Sequence, residues 1–200
     1  AVRYMARYSF PQLYNPADPR LGLPENEYDL IATYYDTAST AVNYLEDIGA
    51  VKVIQEINWT GRPQVDYMEI LPENKGVRGR VLYSMGADGK MAYGGELIRQ
   101  LKTWADGHGI KTLLNHRVSR IVRNRQGDVI GVEASSKDRQ IRFRARKGVV
   151  FGSGGFTHNP ELMLRFQRGP HFGGCASPGS TGDFVYMAGA IGAQLGNMAG

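Results

Sequence analysis

A glycine-rich run after a short apolar segment is the first feature of the sequence that suggests chemistry. Residues 148–151 are followed directly by Gly152-Ser153-Gly154-Gly155. A short apolar run of this kind is typical of a strand buried on both faces. Glycines that follow such a strand leave the backbone open to the sugar or phosphate of a ligand. The alternative is a tight turn that needs glycine only for positive φ angles, and this run by itself leaves both interpretations open.

A second candidate motif, Thr181-Gly182-Asp183, stands at the start of a predicted helix of small residues that runs to Leu195. A threonine hydroxyl and the unpaired N–H groups at a helix start can bind an anionic group. A capped helix without a ligand is the alternative, because Ser180, Thr181 and Asp183 are all good capping residues.

The glycine run does not form the dinucleotide fingerprint G-x-G-x-x-G. Gly152 and Gly154 would require a third glycine at position 157, which is Thr157. The fingerprint also expects an acidic residue about 20 positions further on, and none stands there. We therefore do not interpret this run as the pyrophosphate-binding entry of a Rossmann unit.

Neither the cysteine nor the histidines indicate a reactive or metal site. Cys175 is the only cysteine and lies in a loop of Gly, Pro and Ser with no motif around it. We interpret it as a bystander thiol, and its isolation fits a reducing compartment, so we expect a cytoplasmic protein. The histidines lack metal-ligand spacing, and we expect no metal. They are His108, His116, His158 and His171.

The net charge of +5 is concentrated in residues 117–125 and 137–147. In the second stretch Ile141 and Phe143 alternate with Arg142 and Arg144, which is the period-two pattern of a strand with one solvated face. Aromatic residues that could stack on bases are almost absent from it. The pattern therefore favours a solvated face over a nucleic-acid site, and we expect no nucleic-acid partner.

The remaining sequence predicts the elements that position these motifs. Hydrophobic residues make up 42% and charged residues 22% of the chain, as in an ordinary globular protein. No apolar run approaches the roughly 20 residues of a membrane-spanning helix. The predicted elements are an irregular segment over 1–24, helices over 25–49, 95–107 and from Pro160, strands over 51–57, 110–114 and 148–151, a stretch over 58–89 that could be a loop with a short hairpin, and an antiparallel meander over 117–144 with a turn at 126–128. Asn159 or Thr157 can cap the helix that starts at Pro160.

The order of these motifs resembles the FAD-binding domain of the fumarate reductase and succinate dehydrogenase flavoprotein superfamily, which includes the 3-ketosteroid dehydrogenases. Each motif is moderately specific, and their joint order is highly so. The resemblance covers the second half of the chain well and the helix over 28–49 more loosely. The motifs are Gly94-Gly95-Glu96-Leu97, Arg117-Val118, Asp128-Val129-Ile130-Gly131-Val132, the run from Ala145 to Phe156, Thr181-Gly182-Asp183 and Gly192-Ala193.

The resemblance implies an α/β fold that is part of a Rossmann-like FAD-binding domain. In that fold the strands over 110–114 and 148–151 lie side by side in a mainly parallel sheet, with the antiparallel meander beside it. Residues 91–200 would form the central part of the domain, and residues 1–90 an irregular and helical segment that flanks it. The dinucleotide-binding βαβ start and its glycine-rich loop are expected before residue 1.

The resemblance also implies roles for particular residues toward FAD. Val118 would present its backbone to the adenine. The turn of Ser153, Gly154 and Gly155 would abut the adenosine and pyrophosphate. The segment of Thr181, Gly182 and Asp183 would lie close to the middle of the cofactor. Phe184 stands where family members usually have glycine.

The implied activity is that of an FAD-dependent oxidoreductase acting on a small-molecule substrate. The reaction would move a hydride to or from a carbon–carbon bond next to a carbonyl or carboxylate. No catalytic residue is assigned in this chain, because the histidine and arginine that serve substrate binding are expected after residue 200. The alternative is a non-catalytic fragment or interaction module that binds no flavin in isolation.

Overall fold

The computed structural model describes residues 1–65, 68, 70–74, 81–169 and 174–196. It divides into two compact units, Ala1–Thr112 and Leu113–Gly200. Within these described ranges no helix has the length and apolar character needed to cross a membrane. The first unit contains α1 (Val2–Ser9), α2 (Glu25–Asp47), β1 (Val53–Gln55), a 3-10 turn (Pro72–Asn74), β2 (Leu82–Met85), β3 (Met91–Ala92) and α3 (Gly94–Gly107).

The N-terminal segment is not irregular throughout, because its first residues form α1. The prediction was wrong there since all four prolines of residues 1–24 lie after the helix, where they interrupt regular structure without affecting the preceding turns. Ala6 is fully buried and packs in a small core with Leu21 and Leu23. Tyr28 and Ile31 of α2 cover the same core, so this core joins α1 to α2.

The two long helices of the first unit are confirmed, and glycines end both of them. Gly49 follows α2 with a φ of +73°, and Gly109 follows α3 with a φ of +71°. Glycine adopts this left-handed conformation without the Cβ clash that other residues incur, which is why helices commonly end at it. The sequence predicts these helix ends because the glycine that ends each helix lies within a few residues of it.

In the first unit α3 is tied to a three-stranded antiparallel sheet of order β1-β2-β3. The Gln100 side chain donates to the Met85 carbonyl at 2.9 Å and accepts from the Lys52 N–H at 2.7 Å. Glu96 accepts hydrogen bonds from Arg99 at 2.7 Å and from Gln100 at 2.9 Å. The bond from Arg99, followed by that from Gln100, lowers the pKa of Glu96 to about 2. The predicted stretch over 58–89 contains β2, whose hairpin partner β3 lies just beyond it, and residues 66, 67, 69 and 75–80 of that stretch lie outside the described residues.

The second unit is built around the antiparallel meander that the sequence predicts. Its elements are β4 (Arg117–Arg123), β5 (Val129–Ser136), β6 (Arg139–Arg144), α4 (Pro160–Phe166) and α5 (Asp183–Gly189). The strand order is β4-β5-β6. Gly127, with a φ of +95°, makes the first turn of the meander, in agreement with the predicted turn at 126–128. The irregular pairing between Val118 and Arg120 interrupts β4 near its start.

Apolar and basic residues alternate along β6, and this alternation gives the predicted covered and solvent-exposed faces. Arg142, Arg144 and Arg146 are exposed, while Ile141 and Phe143 are half-buried. A strand that has one covered face leaves every second side chain in solvent. The basic stretch is therefore an exposed face of the meander.

The predicted parallel sheet is not confirmed, because both sheets of the described chain are antiparallel. Residues 110–114 and 148–151 do not pair with another strand in the described ranges. Val150 is 96% exposed. An apolar run becomes a strand only when a neighbouring strand accepts its backbone hydrogen bonds, and the described residues supply no such neighbour to either segment.

The closing helix is shorter than the small-residue pattern predicts. It begins at Asp183 and ends at Gly189, instead of continuing to Leu195. Gly192 has a φ of +89°, which a helix does not allow. Glycine also costs about 1 kcal/mol relative to alanine inside a helix, so this glycine-containing segment stops early.

Candidate functional site

The two motifs singled out in the sequence meet in the second unit. The N–H of Gly182 donates to the carbonyl of Gly155 at 3.0 Å. This bond joins the glycine turn of Ser153, Gly154 and Gly155 to the segment of Thr181, Gly182 and Asp183, although 27 positions separate the bonded residues. We call the two segments together the glycine junction.

Two glycines of the junction are required by the fold itself. Gly154 has a φ of +74°, and a Cβ placed there would lie 2.9 Å from the Ser180 hydroxyl oxygen. Gly182 has a φ of +76°, and its Cβ would lie 2.5 Å from Leu162 Cδ1 and 2.7 Å from Phe156 Cβ. Conformation and packing therefore explain these two glycines without a ligand, as the turn and cap interpretations predict.

Gly152 and Gly155 have no such explanation. Neither has a positive φ, and in the described part of the chain no atom lies within 4 Å of a Cβ built at either position. Both residues are exposed. Since neither strain nor a close neighbour demands glycine there, these positions present open backbone beside the junction.

Asn159 fixes the junction to α4 through both ends of its side-chain amide. Its Oδ1 accepts from the Leu162 N–H at 3.1 Å and caps the helix. Its Nδ2 donates to the Thr181 carbonyl at 2.9 Å. The His158 N–H adds a bond to the Ser180 carbonyl at 3.1 Å. The predicted cap is thus also a tether that holds the segment before α5 in place.

A cleft of about 540 Å³ opens beside this segment. Its volume lies within the range of small-molecule sites, which are about 300–1,000 Å³. The cleft contains two of the sequence-predicted site residues, Thr181 and Asp183, while Val118 lies next to a lining residue on β4 and is half-buried. The lining residues are Arg117, Asn159, Gly179, Thr181, Asp183 and Tyr186.

The charges of the cleft are loosely paired. Arg117 Nη2 lies 3.5 Å from Asp183 Oδ1, and the side chains are 76% and 35% exposed. The Thr181 hydroxyl donates to the same carboxylate oxygen at 3.1 Å. Exposed ion pairs typically contribute only about 0–1 kcal/mol to stability. A charged ligand can therefore replace one partner of the Arg117–Asp183 pair.

Sequence reasoning missed Arg117 and Tyr186 as parts of the cleft, and it took Asn159 only as a cap. Tyr186 carried a usable signal, because it follows Asp183 by three residues and therefore shares its side of a helix. Arg117 stands in the Arg117-Val118 motif of the family resemblance, but that motif gave no signal of a contact with Asp183, 66 positions away. Only the folded meander brings them together.

The residues of the cleft and the junction suit part of a nucleotide cofactor. Open backbone at Gly152 and Gly155 allows close approach of sugar and phosphate, as in the ligand sites of α/β proteins. Arg117 and Thr181 supply a cation and a hydroxyl for polar groups. The charged and hydroxyl groups of the cleft can therefore bind the polar parts of such a ligand.

Comparisons with known proteins point in the same direction. Residues 17–199 match the model of a family described as "FAD binding domain". The chain is 27% identical, over 87% of its length, to the probable fumarate reductase Ifc3 of Shewanella frigidimarina, and it spans 27% of that protein. It is 33% identical, over 51% of its length, to a 3-oxosteroid 1-dehydrogenase of Mycolicibacterium smegmatis and spans 19% of it.

A solved structure shares the fold over almost the entire chain. It is the 3-ketosteroid-Δ4-(5α)-dehydrogenase of Rhodococcus jostii in complex with 4-androstene-3,17-dione, with a TM-score of 0.69 and 23% identity. The likeness covers 99% of this chain and 42% of the dehydrogenase. With the family match over most of its residues, the chain belongs to the FAD-binding domain family of the fumarate reductase and 3-ketosteroid dehydrogenase flavoproteins, and its cofactor is FAD.

Proposed function

We propose that the protein containing this chain is an FAD-dependent oxidoreductase that transfers a hydride to or from a carbon–carbon bond next to a carbonyl or carboxylate. The relatives named as a probable fumarate reductase and a 3-oxosteroid 1-dehydrogenase support this proposal. The chain covers only about a quarter or less of each of these two relatives, so the activity is proposed for the whole protein. FAD supplies the hydride chemistry when it is bound.

The part assigned to this chain is to hold FAD. We propose that Val118, the turn of Ser153 to Gly155 and the segment of Thr181 to Asp183 contact the cofactor. The observation that carries this proposal is the Gly182 N–H···O=C Gly155 bond, which brings the two motifs together beside Gly152 and Gly155. Open glycine backbone at such a junction lets a bulky cofactor rest against the main chain.

Within this proposal the chain's own residues bind and orient, and they do not move protons. The groups that bind substrate and transfer protons are proposed to lie outside residues 1–200. We also propose that residues 91–200 form the central part of the FAD-binding domain, with residues 1–90 flanking it. A cytoplasmic location remains a proposal that depends on the single cysteine.

The decisive experiment replaces Gly155 with leucine in the full-length protein. Gly155 is suited to this test because its φ is not positive and the space around its Cβ position is open in the described chain. Gly154→Leu is a poorer choice, because its φ of +74° would strain the fold as well. We expect Gly155→Leu to fold and to lose most of its flavin, measured as flavin absorbance per folded protein.

The matched control is Arg144→Gln, which changes an exposed residue of β6 away from the junction. It should keep the flavin content of the unmodified protein. Normal flavin loading in folded Gly155→Leu would show that the junction is structural and that the site assignment fails.

A second candidate is a non-catalytic module that binds no flavin when the chain stands alone. Two observations favour it for the isolated chain: no strand among the described residues pairs with residues 148–151, and Val150 is 96% exposed. Absorbance separates the two candidates. A yellow isolated chain would support FAD binding by these residues alone, and a colourless chain beside a yellow full-length protein would support the module interpretation for the fragment.

A further inference from the structure

Arg117 differs from the neighbouring arginines of the meander in what it contacts. Arg120 and Arg142 are both engaged by Glu133, at 2.9 Å and 2.8 Å. Arg117 instead lines the cleft beside α5. Its one side-chain hydrogen bond among the described residues is the long contact to Asp183 at 3.5 Å. Arg117 is therefore a cation at a cleft wall with most of its donors unused.

We propose that Arg117 binds the diphosphate of the cofactor and that Asp183 is its temporary partner when the cleft holds no anion. A guanidinium presents a planar fork of donors that matches phosphate oxygens and forms charge-assisted hydrogen bonds. The position of Arg117 supports this role, because Arg117 precedes Val118 on β4 and contacts Asp183, which belongs to the glycine junction. This inference rests on the proposed FAD site and adds to it a residue that makes the site selective for anionic ligands.

The weak pairing with Asp183 is what makes the exchange possible. A long contact between largely exposed side chains is readily broken, and the Thr181 hydroxyl at 3.1 Å continues to hold the Asp183 carboxylate when Arg117 leaves. Arg117 also offsets the negative charge of Asp183, which would otherwise repel an anionic ligand. Loss of Arg117 should therefore weaken the binding of anionic ligands and leave neutral ones unaffected.

The test compares three ligands on the flavin-free full-length protein: FAD, ADP and riboflavin. FAD and ADP carry the diphosphate, and riboflavin carries no phosphate. We expect Arg117→Gln to raise the Kd of FAD and ADP by about 10- to 100-fold, the range for loss of a hydrogen bond to a charged group. The Kd of riboflavin should change by less than about twofold. Arg117→Lys, which keeps the charge without the planar fork, should give an intermediate Kd for FAD and ADP.

Arg144→Gln serves as the control, because it removes an exposed arginine of the same sheet that does not line the cleft. It should leave all three Kd values unchanged. Unfolding midpoints should be nearly the same for Arg117→Gln and Arg144→Gln, since an exposed ion pair contributes little to stability.

The possible outcomes separate this inference from the proposed function. If the unmodified protein binds no FAD, both the proposed function and the role of Arg117 are refuted. If it binds FAD and Arg117→Gln binds FAD and ADP within twofold of it, the FAD site stands and the role of Arg117 is refuted. An equal loss of riboflavin binding in Arg117→Gln would also refute it, because that result marks a residue that supports the shape of the site.

Discussion

Replacing Gly182 with alanine is the sharpest test of how the glycine junction is packed. The new methyl carbon would lie 2.5 Å from Leu162 Cδ1 and 2.7 Å from Phe156 Cβ. Leu162 is only 3% exposed, so it has little freedom to move away. The φ of +76° adds a conformational cost for any residue with a Cβ.

The magnitude follows from these two effects. A left-handed conformation costs a non-glycine residue about 1–2 kcal/mol, and overpacking a core costs about 1–3 kcal/mol. We therefore expect Gly182→Ala to lower the free energy of unfolding by about 2–5 kcal/mol. Urea unfolding followed by circular dichroism would detect this loss as a midpoint lowered by about 1–2 M, given the usual dependence of unfolding free energy on urea.

Gly155→Ala is the matched control on the other side of the same hydrogen bond. Its φ is not positive, and in the described chain no atom lies within 4 Å of the added methyl, so the free energy of unfolding should stay within about 0.5 kcal/mol of that of the unmodified protein. A second check is Leu162→Ala combined with Gly182→Ala, where the removed leucine atoms make room for the methyl. The double variant should be more stable than the two single effects predict by about 1 kcal/mol. Equal midpoints for Gly182→Ala and Gly155→Ala would refute the packing argument.

Two further predictions concern single side chains. The pKa of Glu96 is lowered to about 2 by its hydrogen bonds, chiefly that with Arg99. Its carboxylate therefore stabilises the fold above about pH 4.5 and loses that effect as the pH falls toward 2. Urea unfolding from pH 7 to pH 3 should show Glu96→Gln less stable than the unmodified protein at neutral pH, with the difference shrinking in acid; a constant difference would contradict this. Asn159→Ala removes the cap of α4 and the bond to the Thr181 carbonyl, and should lower the free energy of unfolding by about 1–3 kcal/mol. Asn159→Ser keeps a capping oxygen without placing a charge beside the Thr181 carbonyl and should lose less; an equal loss in both would show that the cap contributes nothing.

Local signals in the sequence were sufficient for α2, α3, the start of α4 and the meander. Asn159 followed by Pro160 predicted the start of α4, since a capping side chain and a proline at the first helical position act within one turn. Gly49 and Gly109 likewise end α2 and α3 through backbone conformations that act within one turn of the helix. Alternation in β6 predicted its exposed arginines, because successive side chains of a strand point to opposite faces. The motif order also led to FAD and to the flavoprotein family.

Other features depend on partners that are distant in sequence, and local patterns did not predict them. Residues 148–151 have the composition of a buried strand, but a strand requires a neighbour to receive its hydrogen bonds, and none is present among the described residues. Composition likewise could not say which glycines are needed for the fold. The structure shows that Gly182 is crowded and Gly155 is open.

The sequence by itself thus determined α2, α3, the start of α4, the meander, the family and the two segments that carry the candidate site, because helix caps, glycine stops and strand alternation act over a few residues. Only the tertiary structure decided that Gly155 bonds to Gly182 and that Arg117 faces Asp183 across a cleft. These pairs are separated by 27 and 66 positions. The contact of Arg117 with Asp183 results from the packing of α5 against β4, and the bond of Gly155 with Gly182 joins the two segments before α4 and α5. No short sequence pattern encodes either contact.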